Sequence, residues 1–336
     1  MERSHLVTGL PSFLGRRVVG SILEMEPEAH VFCLVPPESF EGLRNELASE
    51  VRDGRVEILI GREGAMHLGL SAREYRRLRE EVQVIHHLPR VRPRADGERE
   101  VLEATDNVLE LAQESVALQR LHHYSAPALP PAVRGPALSL RRPVTPEALL
   151  ARLEARVRGA MSRLPATIFR PSRLLGDART GEFVPGNIPL ELAFRLALPP
   201  FPVPLPPPGF ESAPFQAVPA DWVARTALRL GQREETVGKT VSLVDPEPVT
   251  LGWVWREVAR RLGRRSWEPL RWVLGVPLLA TRFALPARRP PGEEAFGGAV
   301  AEERCPSLPS YLDRLLGWAE AQLRRRRRAY VPDPFE

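Results

Sequence analysis

Over the first 175 residues, short apolar runs alternate with longer stretches whose hydrophobic positions recur every three to four residues. The runs at 5–8, 30–35, 56–60, 82–87, 121–125 and 167–170 have strand length. Between them, 15–23, 71–81, 98–118 and 146–163 read as amphipathic helices. Ser71 supplies an N-cap, and Glu74, three residues on, completes a capping box. Strands that alternate with helices in this way predict a doubly wound parallel α/β sheet of Rossmann type. Beyond Gly181 the alternation fades. The proline-rich stretch 198–209 can be neither helix nor central strand and is expected as a loop. Helical patterns resume at 220–230, 251–262 and 310–328, with one strand-like run at 240–244. The expected division is a Rossmann-like domain over 1–185, to whose sheet 240–244 returns, and a smaller, mostly helical region over 186–336.

Composition narrows the class. The 336 residues are 43% hydrophobic and 26% charged, which excludes wholesale disorder. The net charge of +5 reflects 46 arginines beside a single lysine, Lys239, so basicity reports arginine usage and not a nucleic-acid footprint. Any chemistry that needs a lysine must use Lys239. Two cysteines, Cys33 and Cys305, are too few for a disulfide framework and suit a reducing cytoplasm. The N-terminus carries no apolar signal region, and the longest apolar-leaning stretch, 272–280, is far too short to span a bilayer.

The first strand runs into Thr8-Gly9-Leu10-Pro11-Ser12-Phe13-Leu14-Gly15 and then a helix, the context in which a glycine-rich turn presents backbone N–H groups to a pyrophosphate. Further motifs follow in order: Gly61-Arg62, Leu68-Gly69-Leu70-Ser71 with Tyr75, Val84-Ile85-His86-His87-Leu88, and Thr105-Asp106-Asn107-Val108. Leu164-Pro165-Ala166-Thr167-Ile168-Phe169-Arg170-Pro171, Gly176-Asp177, Arg179-Thr180-Gly181-Glu182, Val218-Pro219-Ala220-Asp221 and Leu243-Val244-Asp245-Pro246 continue the set. Together these resemble an extended short-chain dehydrogenase/reductase over about residues 4–260, and most of all its thioester reductase and fatty-acyl reductase branch.

That resemblance implies an NAD(P) site at Thr8, Gly9, Ser12, Phe13, Leu14, Gly15, Arg62, Leu88 and Pro89. It also implies a tyrosine acid/base with a lysine four residues on, a Ser/Thr that positions substrate, and an asparagine. Those four positions fall on Pro146, Leu150, Ala126 and Val101, and no Tyr-x-x-x-Lys occurs anywhere in the chain. The cofactor positions depart too. Ser12 replaces the middle glycine, Pro36-Pro37 follow the second strand with only Glu38 as a carboxylate nearby, Arg62 replaces an aspartate, and Pro89-Arg90 replace small residues. The reading is a short-chain dehydrogenase/reductase scaffold without hydride chemistry, acting by binding, with NADP or NAD as doubtful ligands. The alternative is an NAD(P)H-dependent reductase of an acyl thioester or related carbonyl, with Ser125 or His123 as substitutes.

His86-His87 and His122-His123 end neighbouring strands, and satisfied core histidines explain them better than a metal site. The basic and aromatic segment 260–289 suits a lid over the cleft or a peripheral membrane contact. Arg324–Arg328 suit a helix C-terminus. Helices 98–118 and 146–163 are the expected faces for a homodimer, or for a heterodimer with an active homologue.

Overall fold

The computed structural model describes residues 3–90, 97–125, 146–184, 203–204, 211–261, 266–267, 294–295 and 304–329. Its contacts form two units. The first holds 1–171, 223–243 and 290–303, and the second 172–222, 244–289 and 304–336. The chain thus leaves the first unit at Pro171, before the expected boundary at 185, because Leu175, Ala178 and Phe183 are core residues of the second.

The first unit is built on β1 (Ser4–Val7), β2 (His30–Val35), β3 (Val56–Ile60), β4 (Val84–His87), β5 (Arg120–Tyr124) and β6 (Ala166–Pro171). The connecting helices are α1 (Phe13–Met25), α2 (Phe40–Glu46), α3 (Ala48–Arg52), α4 (Ala72–Glu81), α5 (Gly97–Glu114) and α6 (Pro146–Ala160). β10 (Thr240–Leu243) adds to β6, and β12 (Glu294–Ala295) adds to β10. The eight strands, in order β12-β10-β6-β5-β4-β1-β2-β3, are all parallel. Residues 240–243 therefore join the sheet. Strand β2 is buried at five consecutive positions, as a parallel strand covered on both faces must be. Leu6, Ile85, Leu121 and Ala166 stand in register on the face packed by Val108, Leu111 and Val157 of α5 and α6.

The residues between β2 and β3 carry structure that the hydrophobic pattern did not announce. A 3-10 turn, Pro37–Ser39, leads into α2 and α3, whose buried residues number only Leu43. So short and exposed a segment leaves no apolar stripe to read. Helix α4 starts as expected: the Ser71 hydroxyl accepts from Glu74 N–H, and the Glu74 carboxylate accepts from Ser71 N–H at 2.9 Å.

In the second unit, β7 (Arg173–Leu174) pairs with β9 (Ala217–Val218), and β8 (Val203–Pro204) with β11 (Ser266–Trp267). The last pair places two residues of the proline-rich stretch in a strand, with Pro204 at its end, where a missing N–H is tolerated. α7 (Ala220–Gly231) bridges the units in sequence, and α8 (Leu251–Arg261) and α9 (Leu308–Ala329) complete the helices. Phe215, Trp255, Val258, Tyr311 and Leu315 form the core. The motif at 176–182 is a turn: Asp177 Oδ1 accepts from the N–H groups of Arg179 and Thr180, both at 2.8 Å.

Candidate functional site

The chain passes from β1 outward through β2 to β3, then returns to lay β4 on the other side of β1. Such a reversal opens a crevice beyond the carboxyl ends of β1 and β4. Gly9 follows β1 there with φ +78°, and a Cβ on it would lie 1.9 Å from the Leu88 carbonyl oxygen. Only glycine fits. Thr8 Oγ1 lies 2.9 Å from His87 Nδ1, and His87 Nε2 lies 3.0 Å from Thr105 Oγ1. Thr105 gives its own proton to the Val101 carbonyl at 3.3 Å, so His87 donates through Nε2 and accepts from Thr8 through Nδ1. Burial, with the neighbouring His123, holds the His87 pKa well below the usual imidazole range, so the ring is neutral.

Ser12 takes a different role from the one its position suggests. Its hydroxyl caps α1, accepting from Gly15 N–H at 3.2 Å. Phe13 and Leu14 are buried in the same first turn. One of the donors at that helix N-terminus is therefore satisfied within the chain.

Beside the turn, a cavity of about 270 Å³ opens between the ends of β2, β3 and β4, lined by Leu34, Pro36, Pro89 and Val101 together with charged groups. Arg62 donates to Glu38 at 2.9 Å across its mouth, and Arg90 donates to the Leu10 carbonyl at 3.2 Å. Glu63 enters from the loop after β3, and its carboxylate accepts the Gly9 N–H. Burial pushes the Glu63 carboxyl up to about 7; the Gly9 N–H and the Arg90 guanidinium oppose the shift, and Glu100 adds to it. The loop is held by Asn107 on α5, whose Nδ2 donates to the Glu63 carbonyl at 2.8 Å and the Ala65 carbonyl at 2.9 Å. It then closes through three consecutive left-handed residues, His67, Leu68 and Gly69. The motif that ends at Arg62 gives no sign of the role of Glu63. A carboxylate next to a flagged position was the only signal, and its target lies 54 residues away.

The positions expected to carry proton transfer are brought together as packing. Val101 on α5 and Leu150 on α6 both lie against the cluster Leu102, Leu149 and Leu153 that joins the two helices. Pro146 opens α6, and Ala126 lies outside the described residues. Of the substitutes, Ser125 is buried and its N–H donates to the Phe169 carbonyl at 2.8 Å. His123 has no exposed surface, and neither ring nitrogen has a hydrogen-bond partner among the described residues. Its ring lies 5.3 Å from that of His87, and burial pulls its pKa down to about 3. Lys239 precedes β10, at the amino edge of a wholly parallel sheet, whereas the crevice lies at the carboxyl edge.

Strand alternation puts His86 and His122 on one face of the sheet, away from His87 and His123. His86 Nε2 lies 3.2 Å from His5 Nδ1, its Nδ1 lies 3.3 Å from the Tyr124 hydroxyl, and His122 Nε2 meets the Gly231 carbonyl at 3.3 Å. His5 reaches the Glu26 carboxylate at 3.2 Å. No group of His, Cys, Asp and Glu among the described residues is arranged to hold a metal. Likewise, no described helix is long and apolar enough to cross a membrane. Most of the segment 260–289 lies outside the described residues; within it, Arg260 pairs with Glu257.

Residues 7–140 match the family model described as male sterility protein. No curated protein matches the chain. Among solved structures, the terminal R domain from the myxalamid PKS-NRPS biosynthetic pathway is similar at 24% identity and TM-score 0.73, over 96% of this chain and 91% of that one. The reductase (R) domain of a non-ribosomal peptide synthetase from Mycobacterium tuberculosis follows at 19% identity and TM-score 0.67, over 96% and 93%. The Bordetella bronchiseptica enzyme WbmF, solved in complex with NAD+, shares 16% identity at TM-score 0.59, over 96% and 94%. The chain thus shares the Rossmann-like α/β fold of these structures. The turn in this arrangement does not fit a dinucleotide's pyrophosphate, because the chain's own oxygens hold the N–H groups of Gly9 and Gly15.

Proposed function

We propose that this chain is a thioester reductase-like short-chain dehydrogenase/reductase scaffold that has given up hydride transfer and acts by binding. The observation that carries the reading is the packing of Val101 and Leu150, two of the positions where a proton relay would stand, into the apolar seam between α5 and α6. Neither side chain can hold or move a proton. Lys239 supports the same reading, because a lysine that lowers a tyrosine's pKa must lie within a few ångströms of it. The chain's one lysine stands at the other edge of the sheet. His123, neutral to about pH 3 and without exposed surface, is no replacement for either group.

The test is NADPH oxidation by the purified full-length chain, followed by absorbance with a long-chain acyl-CoA thioester as substrate. No thioester-dependent oxidation is expected. Turnover that co-purifies with the protein through two orthogonal columns, and is lost on changing Ser125 or His123, overturns the proposal.

A further inference from the structure

We infer that Glu63 sets the charge selectivity of the cavity at the ends of β2, β3 and β4: its carboxylate stands in the glycine turn as an internal anion and excludes ligands that bring a pyrophosphate there. The argument begins with Gly9. Its N–H points out of a turn that must be glycine, since a Cβ would strike the Leu88 carbonyl, so the donor's direction is fixed by the fold. Glu63 accepts that N–H and at the same time lines the cavity. It is held there from behind, through the two hydrogen bonds that Asn107 gives to its loop. Ser12 fills the Gly15 N–H in the same way but without charge.

A phosphate approaching Gly9 would have to displace a carboxylate and then remain beside it. Two anions a few ångströms apart in a partly desolvated site repel by more than enough to cost a factor of ten in affinity. The neighbouring charges do not cancel this effect. Glu100 on α5 adds to the negative potential at Glu63, and Arg90, after β4, opposes it. Arg62 is matched by Glu38. The segment from Thr8 to Leu14 brings no titratable side chain. The inference goes beyond the proposed function, because it concerns what binds and not whether hydride moves.

The experiment is isothermal titration of the full chain with NAD+, whose pyrophosphate does not titrate between pH 6 and 8, and with adenosine as the phosphate-free control. At pH 8, Glu63→Gln and Glu63→Ala should each bind NAD+ about tenfold or more tightly than the wild type, while adenosine affinity changes by less than about twofold. Lowering the pH to 6 should tighten NAD+ binding to the wild type and leave Glu63→Gln unchanged. Circular dichroism establishes that each variant is folded. Equal gains for NAD+ and adenosine, no gain for NAD+, or no NAD+ binding at millimolar concentration to either folded variant overturns the inference. A variant that binds NADPH and reduces a thioester would overturn the proposed function while upholding this one.

Discussion

The Arg62 guanidinium donates to the Glu38 carboxylate at 2.9 Å, joining the ends of β2 and β3 beside Pro36 and at Arg62, the two positions where the resemblance expects groups that recognise a nucleotide. Both side chains are more than half exposed, so water screens the pair. Its removal should leave stability alone. Arg62→Ala is expected to melt within experimental error of the wild type at low and at high salt, by differential scanning calorimetry. A salt-dependent fall in melting temperature would show that the pair belongs to a structural network.

Gly9→Ala should destabilise the protein by at least about 2 kcal/mol, because the new Cβ meets both a left-handed φ and the Leu88 carbonyl. Gly231→Ala should be costly for another reason, since its Cβ would lie 2.3 Å from the His122 ring. Urea unfolding checks both. Gly20→Ala, in open space, is the control and should be neutral or slightly stabilising.

His87 and His123 sit side by side and should respond in opposite directions. His87→Leu takes from the buried Thr8 hydroxyl the acceptor it donates to, while Thr105 keeps its bond to the Val101 carbonyl, and should cost about 1–3 kcal/mol. His123→Leu removes two buried nitrogens that have no partner among the described residues, and should stabilise by about 1 kcal/mol. A destabilised His123→Leu would mean that the ring has a partner beyond the described residues.

Two buried systems give stability opposite dependences on pH. Burial keeps His122 neutral down to about pH 3 and His86 neutral as well, while both would protonate near pH 6.5 once unfolded. They therefore contribute stability above pH 6.5 that is lost as the pH falls below it. For Glu63 the sign is reversed: its folded pKa, up to about 7, exceeds the unfolded value, so the folded state binds the extra proton and stability declines as pH rises from about 4.5 through 7. Glu63→Gln should accordingly be more stable than the wild type at pH 8, by on the order of 1–3 kcal/mol, and similar to it at pH 5. Chemical denaturation at the two pH values measures the difference.

Glu154 ties α6 to β6. Burial pushes its carboxyl up, but Arg170, which donates through Nε at 2.9 Å, and Arg158 outweigh this and hold it below the usual range. Glu154→Ala leaves Arg170, about one-tenth exposed, without that carboxylate, and should cost about 3 kcal/mol by calorimetry at pH 7.

Much of the fold is written in short-range pattern. The six strand runs, the capping box at Ser71 and Glu74, and the glycine turn after β1 can each be read from a few neighbouring residues, because strand burial, helix capping and left-handed φ are local requirements. The absence of any Tyr-x-x-x-Lys is likewise a property of the chain alone. By contrast, α2 and α3 bury too little apolar surface to leave a periodic mark. By residue type Ser12 is only a missing glycine; its role as the cap of α1 depends on the position of its hydroxyl in the folded turn.

Neighbours along the chain fix the sheet and the order of its motifs, and residue type alone puts apolar side chains at Val101, Ala126, Pro146 and Leu150, where the resemblance expects proton-transfer groups. Contacts between distant residues belong to the folded chain: Val101 and Leu150, 49 residues apart, share one apolar seam, and the Glu63 carboxylate reaches the N–H of Gly9. The reason is physical. Elements form from neighbours along the chain, but a site forms where the reversal of strand order brings distant loops to one edge of the sheet, and no local pattern records which of their side chains will meet.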